Sequence, residues 1–363
     1  MHISELDTPA LLIDLDRLEA NLRRVADYCA RHRLRLRPHT KTHKSPVIGR
    51  RQLDRGAVGL TVAKVGEAEV MRAAAPPELL VAYPVIGEAK LRRLMQVARE
   101  TAVTVALDSL EAAQELSRAA HSAGLTVGVL IEANLGMNRC GLDPGDDLVA
   151  LATAVSRMAG LRLEGLEFYS GHVRLNTPEG PSQFGEVKKK ASQIREDFQR
   201  AGLATTVVSG GSTPTLFHSH EIDAINEIRP GTYVFYDAMQ VQAGACTWDD
   251  CAATILTTVI STARKGFAMI DGGSKTFTSD RLPGPEPSFG RVVDSPEALF
   301  YNMNEEHGYL DLRPSGKACR VGDRLRIIPN HVCVAVNMHE KMYGVRGEQV
   351  EEVLPVAGRG KLQ

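Results

Sequence analysis

Two lysines and two histidines fall within the eight residues from Arg37 to Lys44, directly after the apolar-alternating run Leu34 to Leu36. A lysine at the carboxyl end of a β-strand, beside cationic neighbours, can be a free amine near neutral pH and form a Schiff base with an aldehyde. Pyridoxal phosphate is the aldehyde that this chemistry indicates. The alternative for a basic octamer of this kind is a solvated turn after a strand.

The octamer resembles the cofactor-lysine motif of the D-threonine aldolase and D-serine dehydratase family, a branch of the alanine-racemase-like, fold-type III pyridoxal phosphate enzymes. In that family Arg-Pro-His-x-Lys-x-His-Lys carries the Schiff base on its first lysine, which is Lys41 here. The resemblance implies that Lys41 holds pyridoxal 5'-phosphate and that Lys44 is a neighbouring charge. It extends over nearly the whole chain, from Leu6 to Lys361.

Short apolar runs alternate with amphipathic stretches over residues 10–235, at intervals of roughly 25 residues. Helices such as Leu15–His32 and Leu110–Ala123 separate the runs. No G-x-G-x-x-G follows the first run, so the pattern favours an α/β fold with an N-terminal (β/α)8 TIM-type barrel over a doubly wound sheet. The eight strand candidates are Ala10–Asp14, Leu34–Pro38, Gly59–Ala63, Leu79–Val85, Val103–Leu107, Thr126–Ile131, Leu163–Tyr169 and Thr205–Ser209.

After about Asp237 the pattern changes to short strand-like runs broken by turn residues, which predicts a C-terminal all-β domain. The runs are Thr254–Ser261, Gly266–Ile270, Arg324–Ile328, Val332–Asn337 and Lys341–Val345. We expect the cofactor-binding barrel over residues 8–240. We expect the β-domain over residues 241–363 together with residues 1–7. The Pro/Gly-rich stretch Leu282–Gly290 is the most loop-like segment.

Small residues follow the candidate strand Thr205–Ser209. The backbone N–H groups and hydroxyls of such a nest can converge on a phosphate, although a Gly-Ser-Thr sequence is more often a simple turn. The resemblance implies that Gly231 and Thr232 join Gly211 and Ser212 around the cofactor phosphate.

The segment Gly136–Gly141 resembles the family's Gly-x-x-Arg-x-Gly element, whose arginine reaches the cofactor near its phenolic oxygen. That arginine is Arg139, for which a surface position in a loop is the alternative. By the same resemblance Tyr169 lies beside the pyridine ring. Family aldolases carry a histidine six residues after this tyrosine, where this chain has Leu175; His172, three residues after it, is the candidate catalytic base here.

His331 and Cys333 stand two residues apart, and on the predicted strand they point to one face. Such a pair can hold a divalent ion, whereas a buried cysteine beside a histidine is the alternative. The resemblance implies a two-residue metal site here, for zinc or for manganese or magnesium. Family aldolases show His-Cys-Asp with the aspartate as ligand, whereas the dehydratases show His-x-Cys, the pattern of this chain.

These parts imply a lyase of D-3-hydroxy amino acids such as D-serine, D-threonine or D-3-hydroxyaspartate. In dehydration, Lys41 removes the α-proton and the metal at His331 and Cys333 assists loss of hydroxide, which gives a keto acid and ammonia. In the retro-aldol alternative the Cα–Cβ bond breaks to glycine and an aldehyde. Cys333 and the absent downstream histidine favour dehydration. An amino-acid racemase and a pyridoxal-binding homeostasis protein are further alternatives.

Forty-three basic and 44 acidic side chains give a formal net charge of −1, so no overall field favours nucleic acid or an anionic membrane. No basic-then-apolar leader opens the chain, and no apolar run approaches the ~20 residues that span a bilayer. We expect a cytoplasmic enzyme with its six cysteines as reduced thiols. The resemblance also implies a homodimer with sites near the interface, and it implies that His307 closes over the site from the second domain or from the partner subunit.

Overall fold

The computed structural model describes residues 1–282 and 288–363. Residues 283–287, inside the loop-like stretch Leu282–Gly290, lie outside the described residues. The chain divides into two compact units. The strand-rich unit comprises Met1–Leu22, Thr42–Ser45 and Thr232–Arg359, and the barrel unit comprises Arg23–Lys41, Pro46–Gly231 and Gly360–Gln363.

The described residues form strands and helices with the following bounds. The strands are β1 (Ala10–Asp14), β2 (Arg35–Leu36), β3 (Leu60–Val62), β4 (Glu78–Val81), β5 (Ala102–Leu107), β6 (Val127–Ala133), β7 (Leu161–Phe168), β8 (Val207–Gly210), β9 (Glu227–Ile228), β10 (Ala253–Ser261), β11 (Phe267–Ile270), β12 (Gly290–Val292), β13 (Leu299–Met303), β14 (Gly308–Asp311), β15 (Arg324–Pro329), β16 (Lys341–Arg346) and β17 (Gln349–Pro355). The α-helices are α1 (Leu15–His32), α2 (Pro46–Leu53), α3 (Val65–Met71), α4 (Glu88–Ala98), α5 (Leu110–Ser122), α6 (Asp146–Val155), α7 (Gly180–Arg200), α8 (Ala238–Gln242) and α9 (Val332–Met338).

The barrel unit is built on an eight-stranded sheet in the order β2-β9-β8-β7-β6-β5-β4-β3. Every pairing in it is parallel. Backbone bonds from Val58 N–H to Leu36 O and from Thr61 N–H to Pro38 O, both 2.9 Å, join the two end strands and close the sheet. The predicted parallel barrel is therefore confirmed.

Helices of the barrel unit bury one face each. In α4 the buried residues Leu91, Leu94 and Met95 follow the three-and-four spacing of an amphipathic helix. The Ser109 side chain accepts the Ala112 N–H and so begins α5. Strand β6 is buried along its whole length, as expected for a parallel strand covered on both faces.

The barrel interior carries charges as well as apolar side chains. The Arg37 guanidinium is 1% exposed, and it lies 3.0 Å from Oε2 of Glu78 and 3.0 Å from Oε2 of Glu227. Ser209 Oγ donates to the other oxygen of Glu227 at 2.8 Å. Because unpaired charges are costly to bury, these matched pairs allow polar residues to line the inside of the barrel.

The strand-rich unit contains a nine-stranded sheet in the order β11-β14-β13-β12-β15-β10-β1-β16-β17. Strand β1 lies between β10, its antiparallel partner, and β16, its parallel partner. The prediction that Ala10–Asp14 is a barrel strand is therefore wrong. A short, fully apolar run fits the middle of any covered sheet, so periodicity cannot assign it to one. The eighth barrel strand is Glu227–Ile228 instead.

A second correction concerns the predicted strand Val332–Asn337, which is helix α9. Its valines suggested a strand because β-branched residues favour extended structure. The buried residues are however Val332, Ala335 and Val336, at helical spacing. The carboxylate of Asp237 accepts the Val332 N–H at 3.0 Å and thereby satisfies a free donor of the first turn. Within residues 1–282 and 288–363, no helix has the length and apolarity required to cross a bilayer.

Candidate active site

Lys41 lies in a short 3-10 turn, Thr40–Thr42, that follows β2. The His39 N–H donates to Pro230 O at 3.0 Å, and Thr40 Oγ1 donates to Thr61 O at 3.1 Å. These bonds tie the turn to the carboxyl ends of the neighbouring barrel strands β9 and β3. Lys41 is therefore held at the end of the barrel where catalytic groups collect in this architecture.

The ring of Tyr169, just after β7, lies beside two cations. Lys41 Nζ is 5.9 Å from the ring centroid, and the guanidinium carbon of Arg139 is 4.9 Å from it. Both distances fall within the range of cation–π contact. Three residues selected from the sequence, each following a different strand, therefore converge in the barrel unit.

The loop after β8 provides an open backbone. Gly211 has a φ of +86°, which L side chains rarely adopt, and an added Cβ would lie 3.2 Å from Ser219 Oγ. Ser212 is buried, with its Oγ 3.1 Å from Thr215 Oγ1. Gly231 follows β9, the strand next to β8. Unobstructed N–H groups and hydroxyls at one end of adjacent strands fit a phosphate group.

Several buried polar atoms near the ends of β7 and β9 have no hydrogen-bond partner among the described residues. They include Ser170 Oγ, His172 Nδ1 and Nη1 of Arg229. Buried polar atoms are normally paired, so such a cluster indicates bound water or a ligand. The residues present in the barrel unit therefore fit a polar, phosphorylated cofactor.

His172 lies beside the loop that carries Arg139. Gly136 has a φ of +119°, and a Cβ there would come within 3.0 Å of His172 Nε2. Burial lowers the pKa of His172, and the charge of Lys190 lowers it further. The imidazole is accordingly held neutral at physiological pH, the form that can accept a proton.

The predicted metal residues lie in the strand-rich unit at the start of α9. His331 is the N-cap residue and Cys333 belongs to the first turn. The Cys333 side chain raises the pKa of His331 to about 9, although burial opposes it. Burial raises the pKa of the Cys333 thiol, but His331 outweighs it and leaves the pKa below its ordinary value. A thiolate is the form that binds metal.

Other side chains surround this pair. Asp280 Oδ2 lies 2.7 Å from His331 Nδ1, and Cys333 Sγ lies 3.2 Å from Thr42 Oγ1 and 3.8 Å from Thr232 Oγ1. A carboxylate on the second ring nitrogen is the usual support of a metal-binding histidine. In the described part of the chain, no group of three or more His, Cys, Asp or Glu side chains is arranged to hold a metal ion. Other ligands would therefore have to complete the coordination of an ion at this pair.

Some predicted residues are placed elsewhere. Thr232 belongs to the strand-rich unit, whereas Gly211, Ser212 and Gly231 belong to the barrel unit. His307 is exposed, and its carbonyl accepts the Asn304 N–H at 2.9 Å in a turn. A role for His307 in closing the site stays a prediction.

Sequence reasoning assigned no role to several residues of these clusters. Glu132 and Glu167 interrupt apolar runs, a signal that could have marked them as buried and paired. Arg229 precedes a proline in the segment singled out for phosphate binding. Asp237 and Asp280 carry no comparable signal, because their partners lie 95 and 51 residues away.

Known proteins resemble the chain over almost its whole length. The family model "Alanine racemase, N-terminal domain" matches residues 13–238, and "Putative serine dehydratase domain" matches residues 252–345. A D-threonine aldolase from Arthrobacter sp is 32% identical over 99% of this chain and 94% of its own length. The chain belongs to the D-threonine aldolase and D-serine dehydratase family of pyridoxal phosphate-dependent lyases.

Other members of this family also match most of the chain. A D-threo-3-hydroxyaspartate dehydratase from Delftia sp. (strain HT23) is 34% identical over 90% of this chain and 91% of its own. The crystal structure of D-threonine aldolase from Filomicrobium marinum matches with a TM-score of 0.92 at 34% identity, over 99% of this chain and 98% of that one. Two structures of D-threo-3-hydroxyaspartate dehydratase variants, at TM-scores of 0.89 and 0.88, replace a histidine and a cysteine two residues apart by alanine, the cysteine variant in a metal-free form.

Proposed function

We propose that this protein is a pyridoxal phosphate- and divalent-metal-dependent lyase of D-3-hydroxy amino acids, and that it dehydrates them to a keto acid and ammonia. The observation that carries the proposal is the convergence of Lys41 and Arg139 on the ring of Tyr169. An amine and a guanidinium on one aromatic ring form a suitable setting for an anionic aldehyde cofactor.

Residues of the barrel unit would hold the cofactor. Lys41 would bind its aldehyde carbon, and Arg139 and Tyr169 would contact its ring. Gly211, Ser212 and Gly231 would hold its phosphate through backbone N–H groups and a hydroxyl, and a part for Thr232 of the strand-rich unit stays a prediction from the sequence. When bound, pyridoxal phosphate withdraws electrons from the substrate's α-carbon. Once the substrate's amine has replaced Lys41 at the aldehyde carbon, the free amine of Lys41 would be the group that accepts the α-proton.

His331 and Cys333 would bind the divalent ion in the strand-rich unit. Asp280 orients His331, and Thr42, the residue after Lys41 in the chain, contacts Cys333. When bound, the ion supplies a Lewis acid for the substrate's β-hydroxyl. A thiolate ligand favours zinc, whereas a carboxylate would favour manganese or magnesium.

The alternative reaction is retro-aldol cleavage to glycine and an aldehyde. Its specific support is His172, because the neutral imidazole could accept the proton of the β-hydroxyl. The relatives include enzymes of both kinds. The His-x-Cys pattern, shared with the histidine and cysteine positions replaced in the dehydratase structures, supports dehydration.

We propose a cofactor-binding domain over residues 8–240 and a metal-binding β-domain over residues 241–363 together with residues 1–7, with strand β1 of the first segment lying in the sheet of the strand-rich unit. The two family models, which match residues 13–238 and 252–345, support this division. The homodimer and the cytoplasmic location stay predictions from the sequence.

The test is product analysis with pyridoxal phosphate and zinc or manganese. D-serine, D-threonine and D-threo-3-hydroxyaspartate are supplied, and keto acid plus ammonia is measured against glycine plus aldehyde. Lys41→Ala should abolish either product, and Lys189→Ala, at an exposed lysine of α7, should not. Glycine plus aldehyde would establish the retro-aldol reaction, and absence of both product pairs would overturn the lyase proposal.

A further inference from the structure

Two carboxylates lie side by side at the carboxyl end of the barrel. Glu132 of β6 and Glu167 of β7 are direct register partners in a parallel pairing. They are 5% and 2% exposed. Register partners on adjacent strands project from the same face of a sheet, so the two side chains are neighbours. Two buried carboxylates on neighbouring positions cannot both ionise without a large cost in free energy.

Guanidinium groups flank the pair on both sides. Arg229 Nη2 lies 3.5 Å from Oε2 of Glu167 and donates to Phe168 O at 3.2 Å. Glu132 lines a small recess together with Arg139 and Tyr169. Charged or titratable groups around the pair include Asp108 after β5, Arg139 and Cys140 after β6, Glu227 of β9, Arg229 after β9 and Arg37 after β2. Lys41 lies over the Tyr169 ring, which it shares with Arg139.

Arg35 and Arg37 face Glu78 and Glu227, so these four groups balance one another. The remaining charges around the pair are those of Arg139, Arg229 and Asp108. One proton on the two carboxylates makes this cluster more positive by one charge than it is without the proton.

We propose that Glu132 and Glu167 share a single proton, and that this proton makes the surroundings of Arg139 more positive by one charge, which favours binding of an anionic cofactor or substrate. The two glutamates are positioning residues, since they act on a ligand through the arginines. The inference rests on the proposed function only for the identity of that ligand.

The electrostatics of the pair agree with its geometry. Burial raises the pKa of Glu132 to about 7, and the neighbouring Glu167 raises it further against the opposing charge of Arg139. Burial also raises the pKa of Glu167, although Arg229 opposes it. Loss of the shared proton therefore falls near neutral pH, where it can alter ligand affinity.

The first experiment uses the protein without cofactor, metal or substrate. Because the folded state binds a proton that the unfolded chain releases, thermal stability of the wild type should fall as the pH rises from about 5 to about 8. Glu132→Gln lacks one of the carboxylates that share this proton, so its thermal stability should fall less over this pH range than that of the wild type. Glu167→Gln is the second variant and should behave alike. An unchanged pH dependence in both variants would overturn the shared proton.

The matched control is Glu164→Gln. Glu164 lies on the same strand β7 and accepts from Thr104 Oγ1 at 3.0 Å. Its replacement removes a carboxylate from β7 without touching the pair, so the pH dependence of the wild type should persist. A control that lost the same dependence would assign the effect to β7 in general and overturn the inference.

The second experiment measures the affinity for pyridoxal phosphate as a function of pH. Glu132→Gln has the charge of the singly protonated pair at every pH, so its affinity should match the wild type at about pH 6 and exceed it about tenfold at about pH 8. The cofactor's own titration cancels in this ratio. If the ratio of the two affinities is the same at both pH values, the inference is overturned and the proposed function is not. If the wild type fails to retain pyridoxal phosphate, the proposed function is overturned.

Discussion

In the proposed function, Cys333 is the residue whose chemistry favours dehydration over retro-aldol cleavage and zinc over manganese or magnesium. Its pKa is held below the ordinary value by His331 against the effect of burial, so the soft thiolate is available to a metal. A carboxylate at the same place would present hard oxygen donors. In the proposed metal site, the preference between zinc and manganese or magnesium therefore depends on this one side chain.

Cys333→Asp should change the metal that the protein retains from zinc towards manganese or magnesium. The measurement is metal content after dialysis against an equimolar mixture of the three ions. Asp280→Asn, which leaves both proposed ligands in place but weakens the support of His331, should lower zinc content by about tenfold or more. Equal zinc retention by Cys333→Asp and wild type would contradict the assignment of Cys333 as a ligand.

Gly211→Ala tests the backbone of the proposed phosphate loop. An alanine at a φ of +86° is strained, and its Cβ would lie 3.2 Å from Ser219 Oγ. We expect loss of about 1–2 kcal/mol of folding stability and weaker pyridoxal phosphate binding. The control is Gly185→Ala in α7, where an added Cβ meets nothing within 4 Å. That change should stabilise the protein by about 0.5–1 kcal/mol, as seen in chemical denaturation.

The residues that sequence could identify are those carried by local motifs. Lys41, Arg139 and Tyr169 each follow a recognisable strand, and the barrel brings their side chains together. Glu167 and Asp280 escape such reasoning, since their roles depend on partners fixed by sheet register and by a distant loop. The residues of a motif can be identified from the local sequence. The role of a paired carboxylate can be assigned only when its partner in the folded structure is known.

Among the elements, α9 shows how a distant side chain can decide secondary structure. Asp237 accepts the Gln240 N–H in α8 at 2.9 Å and the Val332 N–H in α9 at 3.0 Å. One carboxylate thus caps two helices. The apolar, β-branched sequence of α9 alone indicated a strand, and β1 was likewise assigned to the wrong sheet. Local patterns predicted most barrel strands because those strands alternate regularly with helices.

Asp237→Ala should cost about 1–3 kcal/mol of unfolding free energy, because two helix caps are lost. Ser109→Ala, which removes one N-cap bond of 3.4 Å from α5, should cost less. Chemical denaturation measures both. Equal losses would show that the double cap adds nothing.

The same substitution should alter the pH dependence of stability. Burial raises the pKa of Asp237 to about 6, so the folded state keeps a proton that the unfolded chain has released. The contribution of Asp237 to the free energy of unfolding is greatest at a pH below the pKa that this carboxyl has in the unfolded chain. As the pH rises to about 6, about 3 kcal/mol of this contribution is lost. Asp237→Ala should lack this loss. If the folding stability of the variant and of the wild type changed in parallel with pH, this prediction would be contradicted.

At the scale of the whole molecule, β1 links the first residues of the chain to strands formed near its end. Leu12 is the register partner of Thr254 in β10 and of Tyr343 in β16. Removal of residues 1–14 would therefore leave unpaired edges in the middle of the nine-stranded sheet rather than at its margin.

A chain lacking residues 1–14 should lose cooperative unfolding of the strand-rich unit, while a chain lacking residues 361–363 should keep it. Limited proteolysis with mass spectrometry measures the difference, with early cleavage expected after residue 232 in the first chain only. Protection equal to that of the full chain would show that β10 and β16 can pair without β1.

The position of β1 has a consequence for how the protein is made. Strand β1 leaves the ribosome long before β16, because Tyr343, its partner in β16, is more than 300 residues further along the chain. At about 5–20 residues per second, β1 waits on the order of half a minute for that partner. During this time the edge that pairs with β16 is open to other nascent chains, and the edge that pairs with β10 is open until that earlier strand has been made. The growing polypeptide should therefore depend on chaperones until its last strands have been synthesised.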